Sequence, residues 1–437
     1  MERFYDRVKE IKELDAIERQ SKSSACFTVL VGRRRIGKTE LLKNFLKTKK
    51  GAYLFTSRMS ESMLCLQWQK ELDLSVGLKL FGHVNSFAEL FEQIMLYSKS
   101  ERFTLVIDEF QDLNFINPGI FSQMQNIWDA HKSSSKINLI VCGSVYSLMA
   151  KIFEGQKEAL FGRLTHKIIL KPFEPSALKE ILFDANPNYT PEDLLCLYML
   201  SGGVAKYVSL LIDAKATSKK KMIDYATGSS SPFLVDGKEI LVNEMGRDYG
   251  IYFSILHLIS RGMTTQSEID SIILKNTGAY LKRLDTVFGI IKPIKPLFSK
   301  TESRNTRWQI VDNYLRFYFR FVFANQNLIE LGQHDSLKEI VLRDYETFSG
   351  AALERYFAAK INEESQLTNI GGWWDKKSNN EIDIIAVNSI KKKCFVYEVK
   401  RQAKKLDLNE LARKAEIFKA NVPDYGIKLQ GLSMTDM

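Results

Sequence analysis

The sequence predicts an α/β protein. It has a parallel-sheet core built around a phosphate-binding loop, then a helical segment, a winged helix-turn-helix and a small α/β module at the C-terminal end. Three stretches predict this. Phe27–Leu42 reads FTVLVGRRRIGKTELL, an apolar β-branched run, a glycine loop and helix-forming residues in succession. Phe103–Gln111 reads FTLVIDEFQ, an apolar strand that ends in two acids. Near the C-terminus, Glu381–Val387 (EIDIIAV) and Cys394–Lys400 (CFVYEVK) are strand-like runs that carry acids and a lysine at alternating positions.

The chain has 437 residues, 45% of them hydrophobic, enough for about three domains. The first residues, MERFYDRVKEIKEL, are charged throughout and hold no apolar signal region. No apolar run approaches the roughly 18 residues of a membrane span. Five cysteines, Cys26, Cys65, Cys142, Cys196 and Cys394, form no C-x-x-C pair, which argues against a disulfide framework or a zinc site. A cytoplasmic protein without a membrane partner is expected. Net charge is +10, and Lys and Arg outnumber Asp and Glu 33 to 28 before residue 241 and 29 to 24 after it. That even spread permits nucleic-acid binding without demanding it.

In the first stretch, Gly32-Arg33-Arg34-Arg35-Ile36-Gly37-Lys38-Thr39 satisfies G-x-x-x-x-G-K-[ST], and Glu40 opens the helix behind it. Glycines let the backbone turn so that successive N–H groups face phosphate oxygens, and the helix N-terminus adds unpaired donors. Lys38 is expected on the β- and γ-phosphates and Thr39 on Mg²⁺. The cofactors are therefore ATP and Mg²⁺. Before the loop, Phe4–Leu14 is either a solvated amphipathic helix or a lid over the base that uses Arg3 and Arg7. Asp108 suits the metal shell, and Glu109 suits accepting the proton of the attacking water. Ile137–Gly143 (INLIVCG) is a further apolar strand. It ends at Ser144, either a turn serine or a sensor of the γ-phosphate. Arg163 is either a surface ion-pair residue or an arginine that stabilises charge on the nucleotide.

Beyond the core, Lys179–Ile212 reads as helical. Ile251–Ser260, Thr265–Leu274 and Thr277–Phe288 read as three helices, and Gly289–Pro296 and Arg307–Val311 as two wing strands. Lys275, Asn276, Lys282 and Arg283 are either DNA contacts of the third helix or its solvated face. Asp312–Phe323 is aromatic-dense and reads as core or an interdomain seam. Glu346–Asn362 is expected to be a helix carrying Glu354. Alternation places Glu381 with Asp383 on one strand face, and Glu398 with Lys400 on another. If the strands are neighbours, Asp383 and Glu398 are candidate metal ligands, with Lys400 positioning water.

The stretches ERFYDRVKEIKEL, VGRRRIGKT, LVIDEFQ, VCGSV, FGRLTHKIILKPF and LSGGVAKYV, in this order, resemble the archaeal-type P-loop ATPases of the STAND/AAA+ lineage. The resemblance covers nearly the whole chain. It implies an AAA+-like core, a helical lid, a winged helix and a C-terminal domain of unknown function. That last domain resembles the restriction-endonuclease-like fold, with D…E-x-K as Asp383, Glu398 and Lys400 and the helix acid as Glu354. The division expected is an ATPase core at 1–175, a lid at 176–240, a winged helix at 241–311 and the nuclease-like domain at 312–437. Two departures stand out. Val145 follows Ser144 where the family often has a second serine. Ala205 follows Gly202-Gly203-Val204 where it usually has proline, which is expected to loosen that turn.

The function expected is Mg²⁺-dependent ATP hydrolysis controlling a DNA-directed output. Alternatives are a metal-dependent DNA nuclease gated by ATP and a non-catalytic ATP-switched regulatory protein. Partners expected are ATP and double-stranded DNA, with oligomer formation left open.

Overall fold

The computed structural model describes residues 3–80, 82–143, 146–246, 249–299, 306–375 and 379–437. The chain forms two compact units, Asp6–Lys171 and a second made of the first five residues with Pro172–Met437.

The first unit is a five-stranded parallel sheet of β1 (Cys26–Val31), β2 (Gly51–Phe55), β3 (Phe103–Asp108), β4 (Ile137–Cys142) and β5 (His166–Ile169), in the order β2-β3-β4-β1-β5. The sequence leads to this directly. β1, β3 and β4 are buried at every position, as strands covered on both faces must be. The helix Phe87–Ser100 is capped by the Ser86 hydroxyl, which accepts from the Glu89 N–H. It buries Phe87, Leu90, Phe91 and Ile94 along one face. Phe27, Trp128 and Phe153 pack ring against ring in the core. Between β1 and β4 the strand order reverses, and β1 ends there in the glycine loop. This is where open α/β sheets bind ligands.

In the second unit, Lys179–Ile212 divides into three helices, Pro175–Ala185, Pro191–Ser201 and Ala205–Asp213, rather than running as one stretch. Prolines at both of the first two N-termini set the breaks, and a Thr190–Asp193 capping box starts the second. The Gly202-Gly203 turn is closed despite the missing proline. Both glycines have positive φ, and the Gly203 carbonyl accepts from the Phe173 N–H at 2.8 Å.

Three further helices follow, Tyr249–Ser260, Gln266–Ile273 and Gly278–Thr286, and then the antiparallel hairpin β6 (Ile291–Ile294) and β7 (Arg307–Ile310). The helix around Glu354 is longer than its sequence pattern indicated, 31 residues from His334 to Glu364. It buries Leu337, Val341, Tyr345, Leu353, Tyr356 and Phe357 along its length.

The C-terminal sheet holds β8 (Asn369–Trp374), β9 (Glu381–Asn388), β10 (Lys393–Lys400) and β11 (Gly426–Ser433), in the order β11-β10-β9-β8. β8, β9 and β10 run antiparallel, while β10 and β11 are parallel, joined through the helix Leu408–Lys419. Ile385, Val387, Val396, Leu411 and Phe418 form its core. All five cysteines are free and buried.

Candidate functional site

At the end of β1, Gly32 turns the chain where a side chain would meet the Leu170 carbonyl at 2.9 Å. Gly37, with φ +96°, caps the helix Lys38–Leu46. The loop N–H groups and this helix N-terminus converge at the β1 C-terminal edge, the arrangement that cradles phosphate. Lys38 is buried. Its ammonium lies across the loop and donates to the Gly32 carbonyl at 2.7 Å and the Arg33 carbonyl at 3.1 Å. Burial pulls its pKa below the ordinary lysine value, against the Cys142, Glu109 and Asp108 side chains, which push it up. Arg33, Arg34 and Arg35 are part-exposed on the loop, and Arg35 sits in the left-handed region with φ +70°. Ile36 is buried beneath the loop, and Glu40 is exposed on the helix.

Across the loop, β3 delivers Asp108 and Glu109. Asp108 is buried and accepts from four neutral donors. The Thr39 hydroxyl (3.0 Å) and the Tyr53 hydroxyl reach Oδ2, while the Cys142 thiol (2.9 Å) and the Glu109 N–H (2.9 Å) reach Oδ1. Burial raises the pKa of both Tyr53 and Cys142, and their contact with Asp108 raises them further, so both keep their protons and donate. Glu109 has φ +52°, a conformation sparsely used by residues other than glycine and common at functional sites. Its carboxylate accepts from the buried Gln111 amide at 2.5 Å.

The structure therefore brings Lys38, Thr39, Asp108 and Glu109 to one edge. The sequence reasoning missed Tyr53, Cys142 and Gln111. Gln111 stands in the quoted DEFQ and was open to notice. Tyr53 and Cys142 reach Asp108 only because β2 and β4 flank β3. Arg7 was read as a possible lid residue. Its guanidinium is instead buried and donates to the Ile36 carbonyl (3.3 Å) and the Lys171 carbonyl (2.8 Å), bracing the loop from beneath.

Arg163 does not join this constellation. It pairs with Asp129 at 3.1 Å and donates to the Phe161 carbonyl. Two residues on, Thr165 accepts from the N–H of Phe27 near the start of β1, at the sheet edge opposite the loop. Of its two readings, the surface ion pair is the one observed. Ser144 and Val145 lie outside the described residues.

A second cluster sits on the C-terminal sheet. β9 and β10 are antiparallel neighbours, and Glu398 and Lys400 share a face. The Lys400 ammonium contacts Glu398 at 2.6 Å and Asp383 at 3.7 Å, and Lys414 approaches the other Glu398 oxygen at 3.6 Å. Asp383 also accepts from the Val399 N–H at 2.8 Å. Burial pushes Asp383 up, partly offset by that hydrogen bond and by Lys400. Burial, then Asp383 and Glu381, push Glu354 up to about 7. Burial lowers Lys400, but Glu398 and Asp383 more than reverse this, leaving it raised. Glu381 is exposed and pairs with Arg307 at 2.9 Å. Among the described residues, no three His, Cys, Asp or Glu side chains are grouped so as to hold a metal ion. The expected convergence of Asp383, Glu398 and Lys400 is present, with ammonium groups rather than further carboxylates closing around Glu398.

On the third helix of the helix–hairpin segment, Lys282 and Arg283 are exposed, and Arg283 lies over the Tyr252 and Phe288 rings. Lys275 and Asn276 precede the helix instead of riding on it. Lys275 donates to the Tyr280 hydroxyl, and Asn276 accepts from the Gly278 N–H.

A parallel sheet with a glycine loop at its strand-order reversal, and an Asp-Glu pair at the end of the strand two positions away, defines a P-loop ATPase. Residues 4–211 match a family described as an ATPase domain predominantly from Archaea, and residues 318–413 match one described as archaeal and bacterial proteins of unknown function. The chain thus carries an archaeal-type ATPase domain and, after it, this C-terminal domain of unknown function. An uncharacterized protein of Methanocaldococcus jannaschii is 29% identical over 97% of this chain and 93% of its own length. A Walker-type ATPase of Pyrococcus abyssi superposes with a TM-score of 0.55 at 20% identity, covering 72% of this chain and 96% of that one. The Aeropyrum pernix ORC2 protein, solved in ADPNP and ADP complexes, gives 0.50 at 13% identity, covering 76% of this chain and 97% of its own. At these identities the solved structures support the fold alone. No helix among the described residues is long and apolar enough to cross a membrane.

Proposed function

We propose that this protein is a Mg²⁺-dependent ATPase whose nucleotide state controls a DNA-directed output through its helix–hairpin segment and C-terminal module. The observation that carries this is the 3.0 Å hydrogen bond between Thr39 and Asp108 beside the Lys38-capped loop. A hydroxyl and a carboxylate held together at a phosphate cradle are the oxygen donors that Mg²⁺ takes in P-loop enzymes. Mg²⁺ bound there would neutralise charge on the phosphates. Tyr53 and Cys142 hold the Asp108 carboxylate in place. Lys38 exchanges its loop carbonyls for β- and γ-phosphate oxygens. Glu109, oriented by Gln111, takes a proton from the attacking water.

The domain reading that accompanies this is an ATPase core at 1–175, a helical lid at 176–240, a winged helix at 241–311 and an endonuclease-like domain at 312–437. A second reading, an ATP-switched protein whose C-terminal module does not cleave, is favoured by the Lys400–Glu398 contact at 2.6 Å. The test is purified protein incubated with plasmid, with and without ATP and Mg²⁺, followed for phosphate release and strand breaks. Phosphate release that requires Mg²⁺ and vanishes in Lys38→Ala supports the ATPase. Strand breaks that vanish in Lys400→Ala would favour the nuclease over the switch. Equal phosphate release by wild type and Lys38→Ala would overturn the assignment.

A further inference from the structure

The Asp108 carboxylate has no acceptor position to spare. A carboxylate offers about four, two on each oxygen. On Oδ1 they are taken by the Cys142 thiol (2.9 Å) and the Glu109 N–H (2.9 Å), and on Oδ2 by the Thr39 hydroxyl (3.0 Å) and the Tyr53 hydroxyl. A divalent cation, or a water bound to it, therefore reaches Asp108 only where one donor gives way. The four differ in how readily they can. Cys142 is fully buried on β4, between β3 and β1, and a thiol released there has no water to turn to. The Glu109 N–H is backbone, fixed one residue along the chain from the carboxylate. Thr39 need not leave, because its oxygen can ligate a metal while its proton stays on Asp108. Tyr53 stands on β2, the edge strand of the sheet, and is partly exposed. Its phenol can exchange the carboxylate for water, which returns most of the hydrogen-bond energy.

We propose that Tyr53 is the residue that sets the affinity of this site for Mg²⁺, because its hydroxyl competes with the cation for Asp108 Oδ2. The hydroxyl holds that oxygen when nucleotide binds without metal, and yields it when nucleotide and Mg²⁺ bind together. Thr39, Cys142 and the Glu109 N–H keep the carboxylate aimed throughout. The Tyr53 ring lies beneath the Lys43 ammonium at 5.7 Å, so loss of the hydroxyl alone leaves the ring's own contact in place. The inference rests on the Mg²⁺-dependent reading above and deepens it by naming the side chain that tunes the metal.

The test is calorimetric titration of the full chain with the non-hydrolysable analogue ADPNP, in EDTA and again in saturating Mg²⁺, for wild type and Tyr53→Phe. Thermal melting confirms that the variant is folded. In EDTA the two are expected to bind within about twofold of each other. In Mg²⁺ the variant is expected to bind about five- to tenfold more tightly than wild type, since no hydrogen bond to a charged oxygen has to be given up. If Mg²⁺ strengthens binding equally in both, Tyr53 does not compete, and the proposal fails while the Mg²⁺ reading stands. If the variant binds more weakly than wild type in Mg²⁺, Tyr53 supports the metal shell, and the proposal is overturned. If Mg²⁺ leaves wild-type affinity unchanged, the Mg²⁺ reading and this inference fall together. A second readout needs no loss of the hydroxyl. With fluorotyrosine placed at position 53 alone, the fluorine NMR signal of the ADPNP complex is expected to move when Mg²⁺ is added. A signal that stays in place would show that the hydroxyl keeps its bond to Asp108, and would overturn the proposal.

Discussion

Two acid pairs at strand ends distinguish the two units of this molecule. Asp108 at the end of β3 is held by four uncharged donors, and the nearby ammonium, Lys38, is turned onto backbone carbonyls. Glu398 on β10 is instead paired directly with Lys400 and approached by Lys414, and Asp383 beside it shares Lys400. Neutral donors fix the direction of a carboxylate without cancelling its charge, so Asp108 keeps its attraction for a divalent cation. A salt bridge cancels the charge that a metal would otherwise meet. The same residue types at the same kind of position thus favour metal binding in one unit and a self-compensated cluster in the other.

The largest expected difference lies in the two aspartates. Asp108→Asn should abolish Mg²⁺-dependent phosphate release, while Asp383→Asn should leave it within about twofold of wild type, since the two clusters are separate constellations. A steady-state assay on both purified variants checks this, and equal loss in the two would erase the contrast. Next comes Lys400→Met. Removing the ammonium leaves buried Glu398 short of a partner and should destabilise the protein, by about 1–2 kcal/mol once the partial exposure of Lys400 is allowed for. Mn²⁺ should restore the melting temperature of this variant more than that of wild type, because it can take the place of the lost charge. A variant indifferent to Mn²⁺ would show that the C-terminal carboxylates cannot serve as ligands even when freed.

A smaller effect concerns pH. Glu354 titrates at about 7 in the folded chain, above the ordinary glutamate range. The folded state therefore binds more protons than the unfolded one between the two values, and stability should fall as pH rises from about 4.5 through 7. Glu354→Gln should flatten that slope in denaturant titrations at several pH values, and an unchanged slope would remove Glu354 as its source. The smallest effect is expected at Arg163. Its partly exposed pair with Asp129 is worth about 0–1 kcal/mol, so Arg163→Ala should change melting slightly and leave ATP turnover by the isolated chain intact.

What the sequence revealed follows how local each feature is. The glycine loop, its strand and its helix are contiguous, so one short stretch carried both geometry and chemistry. The apolar runs of β1, β3 and β4 identified buried strands for the same reason. Strand order is not local. Tyr53 and Cys142 lie 55 and 34 residues from Asp108, and their contact with it comes from β2 and β4 flanking β3. Arg163 stayed ambiguous because its role depends on which end of the sheet its loop occupies. Near the C-terminus, alternation showed that Glu398 and Lys400 share a face. It could not show that the lysine would close onto the glutamate at 2.6 Å, since side-chain direction depends on packing from the helix Leu408–Lys419 that brings Lys414.

The most direct measurement compares ATP binding and turnover in Glu109→Gln. The amide keeps the shape of the side chain but loses the charge that takes the proton from water. The account predicts ATP affinity close to wild type in the presence of Mg²⁺, with the rate of phosphate release reduced by about 10²–10⁴. Turnover at the wild-type rate, or loss of ATP binding as complete as that of Lys38→Ala, would contradict it.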